Sequence, residues 1–235
     1  MNELPTPADF HRSGSHPDTG DAFGQALLAA VNSVGLPTVA YVITERDDGF
    51  VSVRDACHFF APIGGDDTEN EVLGLARGRV LDAGCGAGRH AKHLTSRGVN
   101  VLGMDASAGA VEVCRRRCVT AVLGSIYDPP PLGRFDTILL LGGNLGLLGS
   151  PQLAPRMLAS LSSLAADGAQ ILAEGFDPTI TEDPDYLAYQ RHNTAVGLQP
   201  GEIGTRIRYR GTATAPTTLW YMPARELPSV LEGSG

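Results

Sequence analysis

The sequence is short of positive charge. Eighteen Lys and Arg stand against 26 Asp and Glu, a net charge of −8, which disfavours a broad electrostatic grip on nucleic acid. Long apolar runs are also missing: no stretch approaches the roughly eighteen residues of a membrane span. The first residues, MNELPTPADF, have no basic stretch followed by an apolar one, so no secretory leader is expected. Cysteine is scarce. Cys57, Cys85, Cys114 and Cys118 contain no C-x-x-C element of a structural zinc site. Without a leader they read as reduced thiols of a cytoplasmic protein, with Cys114 and Cys118 as small apolar groups on one helix face. His90 and His93 lie three apart, but no third ligand follows at a recognised spacing, so no metal is expected.

What is present is a core. With 235 residues, 43% of them apolar, the chain can bury one large domain or a domain with appendages. From residue 79 onward, short apolar runs alternate with amphipathic stretches. Strands are expected at 79–84, 99–105, 119–124, 135–143 and 169–176. Between them come a helix over 88–98 closed by Gly98, a helix capped by Ser107, and a helix opening at Ser150 and Pro151 and ending at Asp167–Gly168. Apolar strands separated by helices predict an α/β fold: a Rossmann-like, doubly wound, mostly parallel sheet with helices on both faces.

The flanks break that rhythm. A helix over 21–35 precedes a hairpin with arms 37–45 and 50–55 turning on RDDG, and a further helix lies near 67–76. After the fifth strand, 205–211 and 217–223 read as a second hairpin and 224–233 as a last short helix. The expected division is a substrate cap over 1–66 (arm, helix and hairpin), a nucleotide-binding core over 67–176, and a substrate-side hairpin with the final helix over 177–235.

The stretch VLDAGCGAGRHA, residues 80–91, carries the chemistry. At the carboxyl end of a first strand the chain must turn sharply into a helix, and glycine permits the dihedrals and lets a ligand touch the backbone. The helix N-terminus behind it offers free N–H groups. A dinucleotide fingerprint needs a third glycine where Arg89 stands, and a phosphate loop needs a terminal Lys-Ser/Thr. Instead Asp82 lies inside the motif, where it repels a pyrophosphate and welcomes an ammonium group.

Asp82-x-Gly84-x-Gly86-x-Gly88 after an apolar strand, with Asp105 ending the next strand in VLGMDAS, resembles the class I S-adenosylmethionine-dependent methyltransferases over residues 70–176. FDTILLLGGNLGLLGS and GAQILAEGFDP look most like the small-molecule methyltransferases of bacterial metabolism. The resemblance implies S-adenosylmethionine as cofactor. Gly84, Cys85, Gly86 and Gly88 would carry its methionine part, Asp82 would act near its ammonium group, and Arg89 would lie near its carboxylate. Asp105 would take the ribose hydroxyls and Ala106 would lie beside the adenine. Gly124, Ser125 and Ile126 would flank that ring, Ser125 standing where many members have an acid. Leu141 and Gly142 would reach the methionine end. The implied reaction is in-line methyl transfer to an O, N or C nucleophile of a small-molecule acceptor. No nucleic-acid or membrane partner is expected, and the protein would be a monomer or homodimer. The alternatives are a protein that binds the cofactor without using it, and an NAD-type oxidoreductase, which Arg89 disfavours.

No residue is named as catalytic by the sequence. Asn144 is either an acceptor contact or a turn former. GGNL at that place differs from the (D/N)PP(Y/F) of nucleic-acid amino methyltransferases. Asp177 either orients or deprotonates a substrate or begins an Asp-Pro turn. His192, in YLAYQRHN with Tyr186 and Tyr189, is either a base or an exposed loop histidine. Arg115–Arg117 read as a solvated face. Arg206, Arg208 and Arg210 either greet an acidic substrate or form the wet side of a hairpin. The aromatics of CHFFAP and Trp220–Tyr221 are either pocket walls or core. The family's closing strand pair is expected to be missing, which leaves the edge beside the fifth strand open unless the 205–223 hairpin covers it or supplies the pair in an unusual order.

Overall fold

A computed structural model describes residues 17–33, 40–64 and 68–232. The N-terminal arm, the first residues of the 37–45 strand and the chain's last three residues lie outside the described residues.

The leading segment holds β1 (Asp18–Thr19), α1 (Ala22–Val31), the hairpin β2 (Tyr41–Arg46) and β3 (Val51–Asp55), a 3-10 turn Ala56–Phe60, and α2 (Thr68–Gly74). The central segment follows: β4 (Arg79–Ala83), α3 (Arg89–Ser96), β5 (Asn100–Asp105), α4 (Ala108–Arg116), β6 (Ala121–Leu123) and β7 (Phe135–Leu140). It continues through a 3-10 turn Asn144–Leu148 to α5 (Ala154–Leu164) and β8 (Ala165–Ala173). Last come α6 (Pro184–Ala195), β9 (Glu202–Tyr209), β10 (Thr212–Ala213), β11 (Thr217–Trp220) and α7 (Leu227–Glu232).

The five central strands form one parallel sheet in the order β6-β5-β4-β7-β8. Strand order reverses between β4 and β7, and the crevice of such a sheet opens beyond the carboxyl end of β4. Successive residues of β7 serve opposite faces. Ile138 and Leu140 join Leu81, Met157 and Leu161 under α5, while Leu139 joins Val80, Leu94 and Cys114 on the other side. Burial of each such Leu or Ile contributes roughly 1.5–3 kcal/mol, so covering both faces is what makes these runs apolar throughout.

Several local expectations are corrected. The fifth helix starts at Ala154, not Ser150: the Ser150 hydroxyl accepts from Leu153 N at 3.2 Å in a separate turn, and Pro155 takes the first-turn place expected of Pro151. That helix also ends early, at Leu164. Asp167–Gly168 sits inside β8, where Gly168 at φ +73° accompanies a register shift against β7. Cys118 is exposed, because it follows α4 in a left-handed conformation, φ +59°, while Cys114 alone turns inward.

The two flanking hairpins meet. β9 pairs antiparallel with β2, and the second sheet runs β1-β10-β9-β2-β3, with β11 on the first half of β9. The segments 205–211 and 217–223 therefore neither cover the edge beside β8 nor complete the central sheet, and Ile171 on β8 is 44% exposed. No closing antiparallel pair joins the central sheet among the described residues. Glu45 on β2 takes Arg206 at 2.7 Å and Arg208 at 3.5 Å, so these two arginines serve the hairpin pairing.

α1 fastens the second sheet to the first domain layer. Its inner side packs on Val42, Tyr209 and Ile207. Its other side crosses α4 so closely that a Cβ on Gly109 would lie 2.6 Å from Gly24 Cα. Asp21 ties the two helix starts: it accepts from Gly24 N at 2.8 Å, Ser107 Oγ at 2.9 Å and Gly109 N at 2.8 Å.

Candidate active site

The glycine loop and Asp105 meet beyond the end of β4. Gly84, Gly86 and Gly88 have φ of +75°, +52° and +72°, conformations that other residues adopt only with strain. Gly84 N and Cys85 N both donate to Met104 O, at 2.8 and 3.1 Å, which holds the loop against the end of β5. Gly86 N donates to Asp105 Oδ2 at 2.7 Å and Ser107 N to Asp105 Oδ1 at 2.9 Å. A carboxylate has about four acceptor positions, so this buried acid keeps acceptor capacity for a pair of hydroxyls. Burial pushes the Asp105 carboxyl above its ordinary value. The two N–H donors offset this in part, and Asp82 and Asp21 add to it.

Asp82 is buried and accepts from Ala91 N at 3.1 Å, which steadies the start of α3. The Cys85 thiol lies 3.8 Å from that of Cys114, and this contact together with burial pushes the Cys85 thiol up, so it is inert packing. Arg89 spends its guanidinium on a bidentate pair with Glu69 and on Ala61 O at 2.8 Å. It is a strut from the loop to α2, where the sequence had suggested a cofactor contact. His90, which its place in the sequence left to the cofactor loop or to helix packing, sits at the crevice: its Nε2 meets Glu69 Oε1 at 2.6 Å and its Nδ1 lies 3.8 Å from Asp82. Burial pulls the imidazole pKa down, but the Asp82 and Glu69 carboxylates outweigh it and the value is raised. Glu69 is lowered in turn, because Arg89 and His90 together overcome its burial.

On the adenine side, Ala106 is exposed beside Asp105, and Gly124 N donates to Asp105 O at 2.9 Å. The Ser125 hydroxyl accepts from Tyr127 N at 3.2 Å, and the Ile126 side chain joins the core with Leu81 and Met104. Leu141 likewise turns into the core. Only the backbone of Ile126 and Leu141 is left for a ligand.

The candidates for the acceptor side separate. Asn144 donates its amide to Ala83 O at 3.0 Å and Gly84 O at 2.9 Å, binding the turn after β7 to the glycine loop. Asp177 caps its own Asp-Pro turn through Thr179 N, at 2.8 Å, and the Thr179 hydroxyl, at 2.6 Å. His192 lies in a pocket of about 460 Å³ between α6 and the β2–β3 turn, with Arg46, Asp48, Phe50 and Tyr189. Arg46 there stacks under Phe50, Tyr186 and Tyr189 and pairs with Asp48 at 2.7 Å.

The groups that do face the end of β7 are different ones. Glu174, at the end of β8, accepts from Gly142 N at 2.8 Å through Oε2. Tyr221, just past β11, lies against the β7 turn: a Cβ on Gly143 would stand 3.7 Å from its hydroxyl. Phe176 packs edge-on to Tyr221 with ring centroids 5.2 Å apart. Burial raises the Tyr221 hydroxyl, with Tyr186, Arg54 and Glu174 close enough to act on it. Sequence reasoning named the Tyr221 ring as a possible wall but missed Glu174, whose only signal is its place at the end of a core strand.

Residues 80–168 match the family model of a methyltransferase domain. Among solved structures, the chain is similar to a S-adenosylmethionine-dependent methyltransferase from Bacteroides fragilis in complex with S-adenosyl-L-homocysteine. The TM-score is 0.76 at 23% identity, over 92% of this chain and 86% of that one. It is also similar to the CcbJ methyltransferase from Streptomyces caelestis, with TM-score 0.53 and 18% identity over 75% and 80% of the two chains. A S-adenosylmethionine-dependent methyltransferase from Methanosarcina mazei gives TM-score 0.53 and 17% identity over 66% and 78%. The likenesses establish a shared fold, and the family match falls on the glycine loop, Asp105 and the strands that carry them. Residues 80–168 therefore match a methyltransferase domain, set in a fold that the chain shares with S-adenosylmethionine-dependent methyltransferases.

Proposed function

We propose that this methyltransferase acts on a small molecule held between the carboxyl ends of the central strands and the second sheet. The observation that carries the reading is the cover. β11 packs on the Asn144–Leu148 turn that follows β7, Tyr221 and Phe176 meet edge-on beside it, and Tyr186 of α6 lies close enough to act on Tyr221, an aromatic lining of the kind that encloses small ligands. The net charge of −8 opposes a nucleic-acid acceptor. Among the described residues no helix is long and apolar enough to cross a membrane.

The residues present suit the cofactor. Asp105 would accept the ribose hydroxyls, the backbone from Gly84 to Gly88 would lie along the methionine part, and Asp82 would favour its ammonium group. Ala106 and the backbone of Gly124, Ser125 and Ile126 would border the adenine, and Leu141 and Gly142 the methionine end. When bound, the cofactor supplies an activated methyl group on a sulfonium whose departure leaves a neutral thioether. The protein's task is then to hold the nucleophile aligned, which can supply about 7–11 kcal/mol of the barrier.

Incubation with methyl-labelled cofactor and a metabolite extract tests this. Label in low-molecular-weight products supports the reading. Label confined to macromolecules would refute it, and tight binding without transfer would instead favour a binding protein.

A further inference from the structure

We propose that Glu174 and Tyr221 together hold the methyl-accepting atom, and that this atom is a nitrogen or oxygen bearing a hydrogen. The inference rests on the methyltransferase reading above and deepens it.

Two different elements bring these groups to one turn. Glu174 reaches the crevice because β8 runs parallel to β7 and ends beside it, and Glu174 N donates to Leu140 O at 2.9 Å. Its Oε2 is fixed by Gly142 N at 2.8 Å, and Oε1 has no partner among the described residues. Tyr221 arrives from the second sheet, where its N–H donates to Gly201 O at 2.9 Å. Its ring is clamped: a Cβ on Gly146 would lie 2.5 Å from Tyr221 Cε1, and Phe176 closes the other side. The ring is held while its hydroxyl, on a half-buried residue, bonds to no described residue and stays available to a ligand.

The pair has complementary chemistry. A carboxylate oxygen only accepts, and a phenol that stays protonated donates or accepts. An amine or hydroxyl satisfies both, donating its N–H or O–H to Glu174 Oε1 and meeting the Tyr221 hydroxyl with its remaining polarity. A carbon nucleophile satisfies neither. In the transfer, the acceptor's lone pair forms the new N–C or O–C bond and the S–C pair remains on sulfur. The acceptor's proton passes to Glu174 Oε1. Glu174 is then the base and Tyr221 the positioning residue.

The test reads binding rather than turnover. Sinefungin carries an amino group where the cofactor has its methylsulfonium, so its N–H donors probe the position of the accepting atom. Calorimetry is run with sinefungin, S-adenosylmethionine and S-adenosylhomocysteine on the wild type, Glu174→Gln and Tyr221→Phe. Gln keeps an acceptor for Gly142 N, and Phe keeps the clamped ring. The expected result is a loss of sinefungin affinity of about 10-fold or more in Glu174→Gln and several-fold in Tyr221→Phe, with S-adenosylhomocysteine unchanged. If all three ligands shift by one common factor, or if sinefungin does not respond to either substitution, the assignment is overturned. A response to Glu174→Gln alone overturns the paired role. A wild type that binds none of the three removes the methyltransferase reading itself, a separate outcome.

Discussion

Asn144 offers the sharpest test of how the crevice is built. Its Nδ2 donates to two carbonyls, Ala83 O at 3.0 Å and Gly84 O at 2.9 Å, and a Cβ on Gly84 would lie 2.5 Å from that same nitrogen. Each bond contributes about 0.5–1.5 kcal/mol net, so Asn144→Ala is expected to cost roughly 1–3 kcal/mol of folding stability. Asn144→Asp has the same shape but sets a carboxylate oxygen against two carbonyl oxygens. It is expected to cost more than Ala, by a further amount on the order of 1–3 kcal/mol. Urea unfolding measures both, and calorimetry with S-adenosylhomocysteine reports the loosened loop as weaker binding. The reasoning is refuted if Asn144→Ala is as stable as the wild type and binds that ligand equally well. An acceptor KM that rose alone would show that Asn144 touches the substrate and does not brace the loop.

Three further outcomes follow from the geometry. Asp105→Asn turns one acceptor into a donor facing an N–H and removes the charge offered to the ribose. S-adenosylhomocysteine affinity by calorimetry should fall by about 100-fold or more; an unchanged value would remove Asp105 from the site. The Glu69–His90 contact should matter within a pH window. His90 is raised, so its stabilisation is fully present below the ordinary imidazole value of 6.5 and is lost as pH rises through the raised one. Glu69 is lowered, so its share is present above the ordinary carboxyl value of 4.5 and is lost as pH falls through the lowered one. The stability gap between wild type and His90→Gln should therefore shrink toward alkaline pH in urea titrations; a gap that grew would contradict the assignment. Gly109→Ala puts a methyl group 2.6 Å from backbone on α1, which should cost about 1–3 kcal/mol or more and lower the Tm; an unaltered Tm would mean that the helices can separate freely.

The central sheet was legible because its inner strands β4, β5 and β7 are mostly buried and apolar, and glycines mark the turns after β4, β6 and β7. The glycine loop was legible too: Gly84, Gly86 and Gly88 register as a required backbone conformation and Asp105 as a strand end, which spacing records. The strand boundaries around Asp167–Gly168 misled because Asp-Gly suits a helix stop and a bulge alike, and only pairing with β7 distinguishes them. The pairing of Arg89 with Glu69 was not foreseen, since that partner stands in a separate element earlier in the chain. The pairing of β2 with β9 has no local signal at all, because hairpins record their own turns and not their neighbours. Tyr221 was legible as a candidate wall, but its arrival at the β7 turn beside Glu174 depends on that second sheet and had no local signal. The packing of α1 on α4 was equally silent, as Gly24 and Gly109 matter only through each other.

The most direct test of the account is titration of the folded wild-type chain with S-adenosylhomocysteine and, separately, with NADH. The account predicts one binding site per chain for S-adenosylhomocysteine, abolished or severely weakened by Asp105→Asn, and no heat with NADH. Heat with NADH and none with S-adenosylhomocysteine would contradict it.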